Sequence, residues 1–416
     1  MHEVYIPRIQ RGDARFAVNV LGARGTIVLV LVHFFKHEHW GSPAETDDAT
    51  QSLTAEDQLF ILMQAGMYLT ATRGMGAPEA RICFERAEPL CHSLNRPLVL
   101  FGALTGQWRY SLHTDKLSAT MQIAKRVFSL AQEHHDSAIT IGAYRALACT
   151  QHFLGNFETA LEYAMRGIEV WRSAGVQFPV EEVMSPAVIC MCFAALSQWH
   201  FGEIASGRAA LAEGISLAKE LNDMYGLGLA LLFTGFLGHF ERNPGEVERV
   251  ASDLIELSTR QNFASWLAGG EVLRGWALCA LGDTAQGISQ MLRGIDDWRA
   301  TGSMLWVPYL LAQKAEALHL ANRTPDALET IVEAEKVVER SEQHEWCAEL
   351  HRLRGVFLTA IGADETEIEA SFCKAIRIAK EQKSVSLEKR AKATYAEYRR
   401  QKGSGSGGRG LRLPLF

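Results

Sequence analysis

The sequence predicts an all-α fold, a superhelical array of antiparallel helix pairs that repeats with a period of about 40 residues. Two observations support this prediction. Apolar residues recur at helical spacing from Thr54 to about Lys402, and short turns containing Gly or Asn interrupt them at regular intervals. A single pair of such helices cannot bury its apolar side alone, so we expect each pair to stack on its neighbours.

The turns inside the pairs define the repeat. They are expected near Met75, Thr114, Gly155, Gly202, Asn243, Gly282, Asn322 and Gly362, with separations between 39 and 47 residues. A spacing sustained over eight units is much stronger evidence than one motif match. The single long step has its excess residues around Gly175–Pro179, which predicts a longer connection there.

Local signals support individual helices. Thr54 followed by Asp57, and the run Thr324-Pro325-Asp326, are typical helix starts. A small residue followed by Ile recurs in the second helix of several pairs, which predicts close packing against a neighbouring helix. These positions are Gly167-Ile168, Gly214-Ile215, Gly294-Ile295 and Ala375-Ile376.

The two ends of the array differ. The last helix, from Ser386 to Arg400, has one apolar stripe and a wide charged side, so we expect a C-terminal cap with its charges outward. The stripe consists of Leu387, Ala391, Thr394, Tyr395 and Tyr398. No cap precedes the first helix, where Leu59, Phe60, Leu62 and Met63 are expected to face residues 1–50 or a partner. Self-association through this N-terminal end is therefore one hypothesis. Deleting residues 1–50 should then promote association, whereas deleting 403–416 should change nothing.

The chain divides into three parts: an extension and linker over 1–52, the repeat domain over 53–402, and a Gly/Ser-rich tail over 403–416. In the extension, residues 25–32 are apolar and β-branched and predict a strand-like remnant. A membrane span over 17–35 is the rival interpretation, although that stretch contains Asn19 and Arg24.

Three histidines follow the apolar run, namely His33, His37 and His39. They suggest a metal site only weakly, because no further Cys or His nearby completes a ligand set. Solvated or partly packed histidines are the simpler interpretation. We expect no bound metal or cofactor.

Composition narrows the partner class. The chain of 416 residues is 48% hydrophobic and 22% charged, with a net charge of −6, which indicates a globular protein and argues against a nucleic-acid partner. Its eight cysteines form no CxxC pair and fit buried free thiols in a reducing cytoplasm. We therefore expect a cytoplasmic protein.

Two resemblances refine the fold. Residues 155–168 resemble the second helix of a tetratricopeptide repeat, although the period here exceeds the usual ~34 residues. Residues 298–309, 349–355 and 370–391 are similar to the C-terminal repeat region of large bacterial proteins. Those proteins join a class III adenylate/guanylate cyclase domain, a P-loop signalling ATPase and tetratricopeptide repeats. The likeness covers about residues 55–395 and implies a regulatory, partner-binding arm in bacterial signalling.

Catalytic motifs do not accompany the repeats. The sequence contains no G-x-x-x-x-G-K-[ST] phosphate loop, no G-x-S-x-G and no HExxH. The run His134-His135-Asp136 is expected to be a helix end rather than part of a triad. We therefore expect a non-enzyme. The first alternative is a remnant or subunit of a cyclase/ATPase enzyme, and the second is a membrane-tethered adaptor.

The expected function is a non-catalytic scaffold that binds a protein or peptide on its concave face. In such arrays the first helices of the pairs line this face, and aromatic residues often anchor interfaces. Six aromatic residues on those helices are the candidate contacts, although each is also suited to core packing. They are Tyr68, Trp108, Tyr144, Trp199, Trp276 and Tyr309.

Overall fold

The computed structural model describes residues 54–174 and 182–403, and every regular element in these ranges is a helix. The helices are α1 Ala55–Arg73, α2 Pro78–Ser93, α3 Pro97–Thr114, α4 Leu117–His134, α5 Ser137–Phe153, α6 Phe157–Ala174, α7 Pro186–His200, α8 Ile204–Glu220, α9 Met224–Phe240, α10 Pro244–Gln261, α11 Ala264–Ala280, α12 Thr284–Ala300, α13 Val307–Leu320, α14 Thr324–Ser341, α15 Cys347–Ile361, α16 Glu365–Glu381 and α17 Val385–Gly403. They form consecutive antiparallel pairs followed by α17, which confirms the all-α repeat fold.

The expected turns and caps are present. Each of the eight turn positions falls in a connection inside a pair or on the helix residue next to it. At the first helix start, the Thr54 hydroxyl oxygen accepts a hydrogen bond from the Asp57 backbone N–H at 3.2 Å. The residues of His134-His135-Asp136 join two helices, and the Asp136 carboxylate caps α5 by accepting from the N–H groups of Ala138 and Ile139. This confirms their structural role.

Several expectations lie outside the described residues. They concern the strand over 25–32, the histidines at 33, 37 and 39, the alternative span over 17–35, the excess residues 175–179, and the tail. Within the described ranges, none of the helices combines the length and apolarity needed to cross a membrane.

The helices form two layers. The odd-numbered helices contact one another in sequence, as α7 does with α5 and α9, and they form the inner layer. The even-numbered helices pack outside them. Burial reflects this difference, because most of α9 is buried whereas α10 buries a single stripe. The small-residue positions serve packing as expected: a Cβ added at Gly294 would lie 2.9 Å from the carbonyl oxygen of Ala268 in α11.

The array winds so tightly that its second and third pairs contact the pairs five positions later, and its fourth pair contacts α17. The Met304 N–H, just before α13, donates to the carbonyl of His113 at the end of α3, at 2.7 Å. The His344 N–H, just before α15, donates to the carbonyl of Phe153 in α5, also at 2.7 Å. In the first turn of α17, the Ser386 hydroxyl donates to the carbonyl of Trp199 in α7 at 2.5 Å. We call this line of contacts between successive turns the seam.

The C-terminal cap is present with one correction. Leu387, Ala391, Thr394 and Tyr398 of α17 are buried, and Tyr395 is partly buried, as expected. Arg390, however, does not point outward. Its guanidinium donates to Glu349 at 3.2 Å and to the carbonyl of Phe240 at 2.5 Å. It turns inward because a buried carboxylate on the inner layer requires a counter-ion.

The N-terminal end differs from the expectation. Leu59, Leu62 and Met63 are buried in a cluster shared with Phe84 of α2 and other residues of α2–α5. Of the four apolar residues expected to face outward, only Phe60 is exposed, at 47%. The first pairs of the chain therefore cover most of this face themselves. Association after removal of residues 1–50 stays a prediction.

Candidate binding surface on the inner layer

The structure places most of the six candidate aromatic residues in the interior. Trp108, Trp199, Trp276 and Tyr309 are 0–3% exposed, whereas Tyr68 and Tyr144 are half-buried. These four side chains therefore pack against other parts of the chain and do not line an open surface. Whether any of the six contacts a partner stays a prediction.

Two tryptophans that directly precede inner helices pack against aromatic rings of the inner layer. The Trp306 ring lies 4.8 Å from that of Phe153 and 4.7 Å from that of Phe236. The Trp346 ring lies 4.7 Å from that of Phe240 and 5.1 Å from that of Tyr309. The two tryptophan rings therefore cover part of the inner layer.

Neither tryptophan is among the six candidate residues. Trp266, Trp306 and Trp346 recur at intervals of 40 residues, equal to the repeat period, and this column could have identified them. The backbone of Trp306 is left-handed, with φ 67°, and its N–H donates to the Gln343 side chain at 2.9 Å. The favourable tertiary contacts of the ring therefore outweigh the energetic cost of a backbone conformation that L residues disfavour.

A polar cluster connects two of the candidate aromatic residues. The Glu316 carboxylate in α13 accepts from the Trp276 indole N–H at 2.9 Å and from the Arg242 guanidinium at 2.6 Å. His239 lies beside it, with its Nδ1 2.9 Å from the Tyr309 hydroxyl. Trp276 and Tyr309 are therefore joined through His239 and Glu316.

A second carboxylate extends this cluster. Glu349 in α15 accepts from Arg352 at 2.8 and 2.9 Å, from Arg242 at 3.0 Å and from Arg390 at 3.2 Å. We call His239, Arg242, Glu316, Glu349, Arg352 and Arg390 the central ion cluster. It spans α9, α13, α15 and α17, together with the residues that directly follow α9.

The pKa values of the acidic groups and of His239 indicate which members of the central ion cluster are charged. Burial alone would raise the pKa of Glu349, but the guanidinium groups of Arg352 and Arg390 outweigh it and lower the pKa to about 2. For Glu316, burial is likewise outweighed by Arg242 and His239, and its pKa is well below the usual range. Burial lowers the pKa of His239 to about 4, so His239 is neutral at pH 7. The cluster therefore holds two carboxylates and three guanidinium groups.

A separate ion group lies nearer the start of the array. Arg109 in α3 and Arg145 in α5 are 4% and 0% exposed, and both donate to the Glu182 carboxylate. The Arg145 guanidinium also stacks on the Trp108 ring, 4.9 Å from its centroid. We call Arg109 and Arg145 the arginine pair. The candidate residue Trp108 thus lies beside a charged group rather than in an open groove.

The inner layer offers recognition chemistry. Guanidinium groups held by neighbouring helices are suited to carboxylate or phosphate binding. The inner cysteines are poor nucleophiles, since burial raises the pKa of Cys190 to about 12. Within residues 54–174 and 182–403, no group of three or more His, Cys, Asp or Glu residues is arranged to hold a metal ion.

On the outer surface, a groove with a volume of about 540 Å³ lies between α14 and α16. Its floor is formed by α15, including Cys347, His351 and Arg354. The Glu335 carboxylate on its rim lies 3.3 Å from His351 and 3.0 Å from Arg354. Glu335 and Arg354 of this groove are thus paired with each other.

Sequence comparison finds a distant relative of the chain. No family model matches the chain. An uncharacterized protein of Rhizobium meliloti (strain 1021) is 22% identical over 355 residues, covering 84% of this chain and 34% of that protein. The chain therefore spans about a third of the length of this curated relative.

A solved structure supports the fold. A Rap protein complexed with Competence and Sporulation Factor is similar with a TM-score of 0.55 and 10% identity, covering 84% of this chain and 98% of that one. Aspartyl phosphate phosphatase F from Bacillus subtilis reaches 0.47 with 13% identity, covering 71% and 74%. Human IFIT1 with m7Gppp-AAAA reaches 0.46 with 12% identity, covering 86% and 75%. The last two scores are too low to argue from, and the exclusion of nucleic acid stays a prediction from charge. The chain has a tetratricopeptide-like helical-repeat fold.

Proposed function

We propose that this chain is a non-catalytic scaffold that binds a protein or peptide through the charged groups of its inner layer. The observation that carries this proposal is the central ion cluster. Burying ions is unfavourable, and well-packed apolar residues of similar size are often equally stable or more stable at such positions. Ionic groups on the layer that repeat arrays use for binding are therefore better explained by recognition than by stability.

Two comparisons support the proposal. The Rap protein of similar fold was captured with Competence and Sporulation Factor, which is a precedent for ligand binding by such an array. The Rhizobium meliloti relative is much longer than this chain. Together with the resemblance to cyclase–ATPase repeat regions, this favours a regulatory arm in bacterial signalling, located in the cytoplasm.

Affinity purification with matched variants tests the proposal. The tagged chain, Arg242→Gln and the outer-surface control Arg249→Gln would be compared by quantitative mass spectrometry of co-purified proteins. Arg249 in α10 forms an exposed ion pair with Asp253 at 3.2 Å. The control therefore also removes an arginine from an ion pair, but on the outer surface. We expect one partner to be recovered by the wild type and the control and lost by the inner variant. Equal recovery by all three chains would place binding elsewhere.

The competing functions have direct tests. Because the chain has no phosphate loop, we expect no ATP binding by isothermal titration calorimetry. Saturable ATP binding would favour the cyclase/ATPase alternative. Recovery of the intact chain only in a detergent-extracted membrane fraction would favour the membrane-tethered adaptor.

A further inference from the structure

Glu182 occupies the arginine pair as a bound carboxylate ligand would. It lies in the connection between α6 and α7, and its side chain is fully buried. One oxygen accepts from Arg109 at 2.7 Å and from Arg145 at 3.1 Å. The other oxygen accepts from Arg145 at 3.0 Å. Two guanidinium groups on different inner helices thus hold one carboxylate that neither helix supplies.

Among the described residues, the other polar groups near the arginine pair do not donate to it or accept from it. The nearby His113 is uncharged, because burial and then the charge of Arg109 lower its pKa to about 3. Burial keeps the Tyr225 hydroxyl protonated by raising its pKa. The Asp223 carboxylate lies near Glu182, but it accepts from the backbone N–H groups of Ser185 and Gly226, at 2.7 Å each, and not from the arginine pair. The arginine pair therefore faces one direct counter-ion.

Two donors also lack an acceptor. Among the described residues, neither the Nε of Arg109 nor that of Arg145 donates a hydrogen bond, although both atoms are buried. An unsatisfied buried donor destabilises the fold by about 1–3 kcal/mol. Buried guanidinium groups with unused donors are a property of an anion receptor, and unused donors are not needed to anchor a connection.

We propose that the arginine pair is a carboxylate-binding site of the inner layer, and that a carboxylate of an acidic partner peptide replaces Glu182 there. This inference rests on the proposed binding function and names the partner chemistry at one part of the same layer. The exchange keeps the number of ion pairs constant, because one carboxylate leaves as another arrives. The exchange requires residues 182–185 to shift. In the present structure, the Ser185–Asp223 hydrogen bond and the buried Met184 side chain hold these residues in place.

The first test removes the internal competitor. A short polyglutamate peptide and a polyglutamine peptide of equal length, both with blocked ends, are titrated into the wild type, Glu182→Gln and Glu213→Gln by calorimetry. Glu213 is a matched control, since it also accepts from an arginine, Arg172, but at an exposed site. We expect Glu182→Gln to bind polyglutamate about tenfold more tightly than the wild type. The Glu213→Gln control should match the wild type, and polyglutamine should not bind.

A second measurement uses the wild type and does not depend on the variant folding. Hydrogen exchange is followed by mass spectrometry with and without saturating polyglutamate. If Glu182 is displaced, the Ser185 amide loses its hydrogen bond to Asp223 and should exchange faster, while the amides of α10 are unchanged.

The outcomes separate this inference from the proposed function. The inference is overturned if folded Glu182→Gln gains no affinity for polyglutamate, or if polyglutamine binds equally well. Unchanged exchange at Ser185 in the peptide-saturated wild type also overturns it. If the co-purified partner is nevertheless lost on Arg242→Gln, the proposed function stands and only the acidic-peptide assignment fails. If that partner is also insensitive to Arg242→Gln, both fail.

Discussion

Replacing Glu345 should stabilise the protein in a pH-dependent manner. Glu345 lies in the connection between α14 and α15, and its side chain is buried beside Trp346 in the sequence. Neither carboxyl oxygen has a hydrogen-bond partner among the described residues. Burial raises the pKa of this carboxyl from 4.5 to about 8. The folded protein therefore holds a proton that the unfolded chain releases near pH 4.5.

The magnitude follows from this pKa difference. Below pH 4.5 both states are protonated, and Glu345 causes no loss of stability from ionisation. As the pH rises from 4.5 towards 8, the free energy of unfolding falls by about 1.4 kcal/mol per pH unit. At pH 7 the loss is about 3 kcal/mol as an upper bound. Glutamine has the shape of the neutral acid and does not titrate, so Glu345→Gln should recover this loss.

Urea unfolding followed by circular dichroism at pH 4.5, 6, 7 and 8.5 measures the effect. Wild type and Glu345→Gln should be equally stable at the lowest pH and diverge as the pH rises. The control is Glu342→Gln in the same connection, where the exposed carboxylate accepts from the Ser118 N–H and its pKa is lowered. This control should not be stabilised. Parallel profiles of Glu345→Gln and wild type across the range would refute the reasoning.

Three further predictions follow from packing. Trp306→Ala should destabilise the fold by about 3–5 kcal/mol and loosen the seam, seen as a larger radius of gyration in small-angle X-ray scattering. A Cβ at Gly142 would overlap the Phe101 ring, so Gly142→Ala should destabilise by about 1–3 kcal/mol in urea unfolding. The control Gly245→Ala should not, because its Cβ would meet only an Asn243 side-chain oxygen at 4.0 Å. Cys373 is exposed, so it should react first with a thiol reagent in the native state, with mass spectrometry identifying the site.

The sequence by itself determined the helices and the pairing. The turns at Gly155, Gly202, Gly282 and Gly362 could be located because each Gly has positive φ, between 70° and 109°, at a helix end. The cap on α1 and the apolar stripe on α17 could also be predicted from the sequence. Side chains within a few residues of one another decide these features.

Only the tertiary structure decided how the array closes. The seam joins residues such as His113 and Ser303, which are 190 apart in sequence and 2.7 Å apart between Nδ1 and Oγ. The number of pairs per superhelical turn arises from small rotations that add up from pair to pair, and no local pattern encodes their sum. This closure buries Trp199 and Tyr309, which looked equally suited to an open concave face. The partner of the arginine pair was equally inaccessible to sequence reasoning, because Glu182 is distant in the chain and carries no motif.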